Sequence, residues 1–226
     1  MAASIQFIWH GLSCFSIEAK NGDAVANLVT DPFDPETVGL KLPRNLAGDM
    51  VTVSHDHASH NNIEAVKPAG EKKLFIIKTP GEYEVGGLFV YGVSAPVVAS
   101  EGKERGLTTL YRFEVGDLSV AHLGDLSADI LDAQRESLED IDVLLIPVGG
   151  ETVLTAKRAV EIVTQLSPRI VIPMHYALPG LKTKSDPVEK FLKEMGATSA
   201  ERLTKWKAIK KDLPVEETKV IVLEKD

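Results

Sequence analysis

Hydrophobic residues along the chain fall in short runs that are rich in β-branched and aromatic side chains. Gly, Pro, Asn or Asp bounds most of these runs, which is typical of β-strands. In the first half of the chain the pattern predicts six strands: Ile5–Trp9, Cys14–Ile17, Asn27–Thr30, Met50–Val53, Leu74–Ile77 and Leu88–Tyr91. In the second half it predicts five more: Leu110–Phe113, Leu118–Ala121, Val143–Ile146, Ile170–Ile172 and Lys219–Leu223.

Helical periodicity is clearest in three stretches, and all of them lie in the second half. They are Ile130–Leu138, Ala156–Leu166 and a segment of residues 188–195 that follows Asp186-Pro187. Several strands therefore come first, and strands then alternate with helices, without a Ser-rich or Gly-rich linker between the two parts. This order predicts a single domain over residues 1–226, of mixed α/β class, with two sheets and helices packed outside them.

Composition and charge exclude several classes of function. The chain has 226 residues, 44% of them hydrophobic, with 25 Lys and Arg against 33 Asp and Glu, so its formal charge is −8. This balance disfavours nucleic acid as a partner, and the basic run Lys205-Trp206-Lys207 is therefore interpreted as a solvated edge. No apolar run approaches the about 18 residues of a membrane span. A single cysteine, Cys14, cannot form an internal disulfide, so we expect a cytoplasmic protein that contacts neither membrane nor nucleic acid.

Three of the six histidines fall within six residues, at His55, His57 and His60. They follow the buried strand that ends at Val53. Residues two apart in an extended segment project to the same side, so His55 and His57 can face one ion, and imidazole suits Zn, Fe, Ni or Cu. The segment predicts a metal site; the alternative is a solvated loop cluster. Ser59 is also a candidate N-cap for a short helix over residues 61–66.

Two further candidates stand where later strands end. Asp125 follows His122-Leu123-Gly124, and His175 follows the buried strand at Ile170–Ile172. Taken alone, each has a structural alternative: a Gly-Asp pair is often only a turn, and a single histidine is often a core residue. Sites in layered α/β folds collect at strand ends, which favours the functional interpretation.

Seven motifs spread over nearly the whole chain resemble those of the metallo-β-lactamase fold superfamily, in particular its small prokaryotic Zn-dependent hydrolases related to the ascorbate-6-phosphate lactonases. They are Trp9-His10-Gly11-Leu12-Ser13-Cys14-Phe15, Thr30-Asp31-Pro32-Phe33, Val53-Ser54-His55-Asp56-His57, Pro80-Gly81-Glu82-Tyr83-Glu84, His122-Leu123-Gly124-Asp125, Ile146-Pro147-Val148-Gly149-Gly150 and Ile172-Pro173-Met174-His175-Tyr176. The resemblance implies a four-layer αββα sandwich with two mixed β-sheets. It also implies a metal site between the sheets and a metal-bound hydroxide that attacks a carbonyl or phosphoryl centre.

Carried over position by position, the resemblance implies one role for each of six residues. His55 and His57 correspond to ligands of a first metal, His60 and His175 to ligands of a second, and Asp125 to the carboxylate that bridges them. Asp31 corresponds to a buried aspartate that supports the ligand loop without touching metal. The other two histidines, His10 and His122, are interpreted as structural residues or as outer partners of the ligands rather than as ligands themselves.

The chain departs from the family pattern at three positions. Ser59 stands where the second motif has Asp, Val97 stands near the place of the third-motif His, and Leu12 stands where many relatives have His. Two Zn²⁺ ions with four neutral histidines and one carboxylate would carry 4 − 1 = +3, and this charge disfavours two ions close together. We therefore expect one Zn ion or none rather than two, with Mn, Fe or Ni as alternative metals.

The function that these residues predict is hydrolysis of a small ester, lactone or phosphoester. The alternative is an impaired or non-enzymatic relative that keeps the fold, which the changes at Ser59 and Val97 favour. Ser59, Glu82 and Tyr83 are the candidates for a catalytic side chain besides the metal ligands. The expected partner is a small-molecule substrate.

Overall fold

The computed structural model describes residues 2–98 and 104–226 of the chain. Its strands are β1 Ser4–Gly11, β2 Cys14–Asn21, β3 Ala24–Thr30, β4 Ala47–Gly48, β5 Met50–Thr52, β6 Lys67–Pro68, β7 Phe75–Ile77, β8 Gly81–Val85, β9 Leu88–Val98, β10 Glu104–Val115, β11 Leu118–His122, β12 Val143–Pro147, β13 Ile170–Met174, β14 Glu201–Leu203, β15 Lys205–Ala208 and β16 Lys219–Leu223. Its α-helices are α1 Pro35–Val38, α2 Asp132–Ser137, α3 Ala156–Leu166 and α4 Val188–Glu194.

The strands build two large mixed sheets. One has six strands in the order β15-β1-β2-β3-β5-β7, and the other has eight in the order β14-β16-β13-β12-β11-β10-β9-β8. The pair β4-β6 forms a small separate sheet. The main core is continuous through both large sheets, and its aromatic members include Phe7 and Phe15 of the first and Phe113 of the second. The mixed α/β fold with two mixed sheets is confirmed.

Helix α3 shows how the periodic apolar residues produce the outer layer. Its buried face consists of Ala156, Ala159, Ile162, Val163 and Leu166. The Thr155 hydroxyl accepts a hydrogen bond from the Arg158 N–H at the helix start, and the helix ends where Ser167 adopts a left-handed conformation. The bounds match those that the sequence predicts because amphipathic spacing and an N-cap agree there.

The short helix predicted over residues 61–66 is wrong in form. The chain makes only a 3₁₀ turn at Ile63–Ala65, and Ser59 does not cap it. Instead the Ser59 hydroxyl lies 2.7 Å from Nδ1 of His57, and the N–H groups of His60 and Asn61 both bond the His57 carbonyl. The Ser59 hydroxyl is therefore engaged within the histidine turn and does not cap the segment that follows.

The basic run near residue 205 forms part of an edge strand. Strand β15 pairs with β1, and Trp206 stacks on Phe7 with ring centroids 5.8 Å apart. Lys205 and Lys207 are exposed on this strand, in agreement with a solvated edge. No helix in the described part of the chain is long and apolar enough to cross a membrane.

The topology brings three strand ends together. Strand β5 of the six-stranded sheet ends at Thr52, and strands β11 and β13 of the eight-stranded sheet end at His122 and Met174. The two sheets are joined at this end because the Thr109 N–H donates to the Ser54 carbonyl at 2.7 Å. The segments that follow these strands carry the candidate ligands.

Candidate metal centre

His60, Asp125 and His175 form one buried group. A ligand atom from each of the three lies within 4.8 Å of the other two. Oδ1 of Asp125 is 3.3 Å from Nε2 of His60 and 3.5 Å from Nε2 of His175, and the two imidazole rings are stacked 5.7 Å apart. The three residues come from different segments, so this group is a product of the tertiary fold. We call it the ligand trio.

The Asp31 carboxylate orients the ring of His60. Nδ1 of His60 donates to Oδ2 of Asp31 at 3.0 Å, and the same carboxylate accepts hydrogen bonds from the N–H and hydroxyl of Ser54 at 2.7 and 2.5 Å. Burial of Asp31 disfavours its charged form, but these partners outweigh it and hold the pKa of Asp31 below its usual value. Asp31 thus fixes the ring of His60 with Nε2 aimed at Asp125.

The pKa of His60 in this metal-free environment is raised. Burial acts to lower that pKa, but the carboxylates of Asp125 and Asp31 oppose it and raise the pKa to about 10. The same attraction keeps the pKa of Asp125 below its usual value although burial acts to raise it. Without an ion, His60 is a protonated imidazole between two carboxylates.

Gly124 allows the Asp125 loop to approach the histidine segment. Its φ angle is +54°, and a Cβ there would lie 2.5 Å from Cβ and Oγ of Ser54. The Gly124 carbonyl also accepts a hydrogen bond from the Ser13 hydroxyl at 3.0 Å. The glycine is therefore required both for the backbone conformation and for the space.

His175 is held by its backbone and by burial. It has a φ angle of +56°, and its N–H donates to the Leu12 carbonyl at 3.1 Å. Gly149 leaves room for it, because a Cβ there would meet the His175 carbonyl oxygen at 2.1 Å. Burial lowers the pKa of His175 to about 4 despite the opposing charge of Asp125, so its ring is neutral near pH 7.

His55 and His57 lie on the open side of the trio. Their rings are 6.2 Å apart and nearly parallel, and neither joins the trio within the ligand spacing of 4.8 Å. Nδ1 of His55 donates to the Leu107 carbonyl at 3.1 Å, whereas Nδ1 of His57 lies 3.3 Å from the Ser59 N–H that donates to it. Of the five predicted ligands, three meet within that spacing, and His55 lies beside them with its ring 6.2 Å from that of His60.

The two histidines interpreted as structural have other partners. Nε2 of His122 donates to the Ser13 carbonyl at 2.9 Å, and its Nδ1 accepts from the Gly124 N–H at 3.2 Å. Both ring nitrogens are thereby occupied. Nε2 of His10 lies 2.8 Å from the Ser16 hydroxyl. Neither residue belongs to the ligand trio.

A cavity of about 420 Å³ opens over the trio. The residues that line it are Leu12, Thr37, Val38, His55, His57, Ser59, Val97, Asp125, Thr152, His175 and Thr183. Val97, the residue near the expected third-motif position, is thus at the site and brings an apolar side chain to it. A cavity of this size is suited to a small molecule.

Two of the three catalytic candidates lie elsewhere. Glu82 lines a separate cleft with Arg112 and Glu114, and the Tyr83 hydroxyl donates to the Thr79 carbonyl at 3.0 Å. Neither is among the described residues that line the cavity over the trio. Ser59 does line that cavity, but its hydroxyl is engaged with His57.

The donor set fits a divalent transition-metal ion. Nε2 of His60 and Nε2 of His175 both face Oδ1 of Asp125, at 3.3 and 3.5 Å. His175 is already neutral, and a metal ion can displace the proton of His60; neutral imidazole nitrogens beside a carboxylate are preferred ligands of such ions. Two imidazoles and one carboxylate leave further coordination positions open toward the cavity.

Sequence reasoning did not identify Ser54 and Leu107 as supports of the site. The Ser54 side chain reaches Asp31, and the Leu107 carbonyl holds His55 from a position 52 residues further along the chain. Ser54 precedes the histidine segment directly, so its position was a usable indication. The contribution of Leu107 is a backbone carbonyl and depends on how β10 passes the site.

Comparisons with known proteins place these features in a family. A model described as a beta-lactamase superfamily domain matches residues 6–175. A UPF0173 protein of Pyrococcus furiosus is 28% identical over 208 residues, which covers 84% of this chain and 90% of that protein. A UPF0173 metal-dependent hydrolase of Thermoplasma acidophilum is 26% identical over 193 residues, which covers 76% of this chain and 84% of that protein.

Solved structures of metallo hydrolases also resemble this chain. A Thermotoga maritima protein assigned to the Zn-dependent hydrolases of the metallo-β-lactamase superfamily has a TM-score of 0.76 at 34% identity and covers 97% of this chain and 98% of its own. A metallo hydrolase from Ignicoccus hospitalis has a TM-score of 0.63 at 19% identity and covers 98% and 96%. The second likeness concerns the fold alone.

Proposed function

The chain belongs to the beta-lactamase superfamily, and from this membership and its site we propose that it is a metal-dependent hydrolase of a small ester, lactone or phosphoester. The observation that carries the proposal is the ligand trio, in which Nε2 of His60 and Nε2 of His175 both face Oδ1 of Asp125, at 3.3 and 3.5 Å. Similarity to the metal-dependent hydrolases of the family supports the same activity.

One divalent ion, with zinc as the first candidate, agrees with the charge of the site. With one ion, the trio carries 2 − 1 = +1, and the nearby Asp31 carboxylate offsets the remainder. With two ions and only Asp125 to bridge them, four neutral histidines would leave +3. Two imidazoles and a carboxylate are a donor set that zinc accepts readily.

The residues around a bound ion would have separate roles. A bound ion supplies Lewis-acid chemistry, activating water and polarising a carbonyl or phosphoryl oxygen. Asp31 orients His60, and Gly124 sets the position of Asp125. Leu12, Val38 and Val97 provide apolar wall in the cavity, while Thr37, Thr152 and Thr183 offer hydroxyls that can bind a polar substrate.

An impaired hydrolase is the second candidate function, and Ser59 and Val97 favour it. Both residues line the cavity, and neither provides the ligand that the family pattern expects there. A protein of this kind would bind metal at the trio and turn over no ester, lactone or phosphoester.

Hydrolysis by the whole chain distinguishes these functions. Protein purified without chelator is assayed on a p-nitrophenyl ester, a γ-lactone and bis-p-nitrophenyl phosphate, together with chelated protein and the variants Asp125→Asn and Asp129→Asn. We expect turnover of at least one substrate, lost on chelation and reduced at least ~100-fold in Asp125→Asn, because removal of even an outer-sphere partner costs ~10–100-fold. The exposed Asp129 serves as the control. Activity that survives both chelation and Asp125→Asn would refute the proposal, and bound metal without turnover would select the impaired form.

A further inference from the structure

Two edge strands of the molecule carry opposite charges in the same pattern. Strand β8, at one end of the eight-stranded sheet, contains Glu82-Tyr83-Glu84, and strand β15, at one end of the six-stranded sheet, contains Lys205-Trp206-Lys207. All four charged side chains are exposed. On both strands the aromatic residue packs against the main core, so the charged residues lie on the outer face of each sheet.

The strand order places these two edges on opposite sides of the sandwich. Strands β14 and β15 are end strands of the two large sheets, and only Thr204 lies between them in the chain. Strands β7 and β8 are the other end strands, and only residues 78–80 join them. A contact of β8 with β15 therefore needs two copies of the chain and joins different surfaces of them, as in a ring or an open row.

The backbone of β8 is open to a further strand at Glu82 and Glu84. The turn Gly86-Gly87 joins β8 to β9 with φ angles of +62° and +82°, as in a type I′ turn. The flanking residues Val85 and Leu88 then form a hydrogen-bonded pair, and such pairs alternate along an antiparallel ladder. Glu82 and Glu84 fall between these pairs, so their N–H and carbonyl groups point away from β9 to the free edge.

The backbone of β15 is open in the same way at Lys205 and Lys207. The Trp9 carbonyl of β1 accepts a hydrogen bond from the Asp226 N–H at 2.9 Å, so it points away from β2. Backbone groups two residues apart in a strand point to the same side, so those of Phe7 face β15 and bond the residue opposite. Lys205 and Lys207 flank that residue, and their N–H and carbonyl groups point to the free edge.

The charges on these edges have few partners within one chain. Among the residues that the structure describes, the side chains of Glu82, Lys205 and Lys207 make no ion pair and no hydrogen bond. One carboxylate oxygen of Glu84 accepts from the Gly87 N–H at 2.8 Å, which leaves the other oxygen free. Charged edges prevent a strand from pairing with its own copy, but β8 and β15 bring opposite charges to each other.

We infer that β8 of one copy of this chain pairs with β15 of a second copy in antiparallel orientation, which joins the eight-stranded sheet of the first to the six-stranded sheet of the second. Glu82 then lies opposite Lys207 and Glu84 opposite Lys205, and each pair exchanges two backbone hydrogen bonds. The assembly does not depend on the proposed hydrolase, because neither strand contributes to the ligand trio or lines the cavity over it.

The same register brings aromatic residues together on the core-facing side. Tyr83 lies between the two glutamates and Trp206 between the two lysines, so they become neighbours across the new pair. Phe75 of β7 is 45% exposed in the single chain, and its ring centroid is 6.2 Å from that of Tyr83. The second copy therefore adds an aromatic contact to the backbone and charge contacts at this edge.

Sedimentation equilibrium over a series of protein concentrations tests the pairing with charge-reversed variants. The β8 variant carries Glu82→Lys and Glu84→Lys, the β15 variant carries Lys205→Glu and Lys207→Glu, and a fourfold variant carries all of these changes. We expect wild type to associate, and to associate more weakly as salt is added. Each double variant alone should associate at least ~10-fold more weakly, because every contact of β8 with β15 then joins like charges.

Two further samples should restore the association. In an equimolar mixture of the two double variants, and in the fourfold variant by itself, opposite charges face each other again, so both should associate as wild type does. The control variant carries Lys157→Glu and Lys193→Glu, at exposed positions of α3 and α4. It changes the net charge as the β15 variant does and should leave the association unchanged. Circular dichroism checks that each variant is folded.

The contradicting results are specific to this contact. A wild type that remains monomeric at ~1 mM, or double variants that associate as well as wild type, would overturn the inference. Folded variants that stay dissociated in the mixture and in the fourfold form would overturn it as well. Because these experiments measure mass and not turnover, their failure leaves the proposed hydrolase in place, and a protein without hydrolytic activity can still show the pairing.

Discussion

Nδ1 of His60 donates a hydrogen bond to Oδ2 of Asp31 at 3.0 Å, and neither side chain has any exposed surface. Two more donors from Ser54 complete the contacts of that carboxylate. Metal sites depend on such outer partners, because they fix the ring plane and the tautomer of the ligand. The pair connects the stability of the fold to the geometry of the site.

Asp31→Asn removes the charge from this buried pair. The amide cannot accept all three hydrogen bonds, and His60 loses its partner, so we expect a loss of ~3 kcal/mol in the free energy of unfolding. Urea denaturation measures it. Asp129→Asn, at an exposed carboxylate 3.8 Å from Arg158, is the matched control and should change stability by less than ~0.5 kcal/mol. Equal effects of the two substitutions would contradict the account.

Metal binding should release one proton from His60 near neutral pH. Its pKa is raised to about 10, so the ring is protonated when no ion is present, whereas His175, with its pKa lowered to about 4, is already neutral. Apparent metal affinity should therefore rise ~tenfold per pH unit between pH 7 and 9. Calorimetry in buffers of different ionisation enthalpy counts the proton. If no proton is released, or if the metal affinity does not depend on pH, then metal binding does not displace a proton from His60.

The metal-free protein should lose stability in mild acid because of His175. Its folded pKa of about 4 lies below the reference value of 6.5, so its contribution is fully present above pH 6.5 and is lost as pH falls toward 4. The difference amounts to ~3 kcal/mol. Thermal unfolding of chelated protein at pH 7, 5.5 and 4.5 measures the slope. His175→Gln, which cannot titrate, should flatten it; an unchanged slope in that variant would assign the acid effect to other groups.

Gly124→Ala and Gly22→Ala form a matched pair. Both glycines have left-handed φ angles, +54° and +60°, but a Cβ at Gly22 meets nothing within 4 Å, while at Gly124 it lies 2.5 Å from Ser54. Gly22→Ala should therefore cost only ~1 kcal/mol of conformational strain. Gly124→Ala should cost that amount and ~1–3 kcal/mol more, and it should also weaken metal binding by displacing Asp125. Equal destabilisation in the two variants would contradict the packing described for the Asp125 loop.

Much of the fold could be predicted because its central strands are buried. Val143–Pro147 and Ile170–Met174 are buried along their whole lengths, so their sequences are continuous apolar runs. The edge strands Glu201–Leu203 and Lys205–Ala208 were not predicted, because each carries several exposed polar residues. The four-residue helix Pro35–Val38 was not predicted either, since it is too short to show periodicity.

The residues that form the candidate site could be predicted from the sequence, but their arrangement could not. Strand ends followed by His60, Asp125 and His175 indicate which residues can meet. The separation of His55 and His57 from that group depends on contacts that no spacing shows, among them the Leu107 carbonyl. The role of Ser59 was predicted incorrectly, because a serine before a helix-like segment is a usual cap, and here the histidine turn engages it first.

The central claim, that this chain holds one ion at a buried trio, is tested most directly by a crystal structure of Zn²⁺-loaded protein with anomalous data collected at the zinc edge. We expect one anomalous peak per chain, about 2.0–2.2 Å from ligand atoms of His60, Asp125 and His175. No peak at the trio, or a peak between His55 and His57, would contradict it.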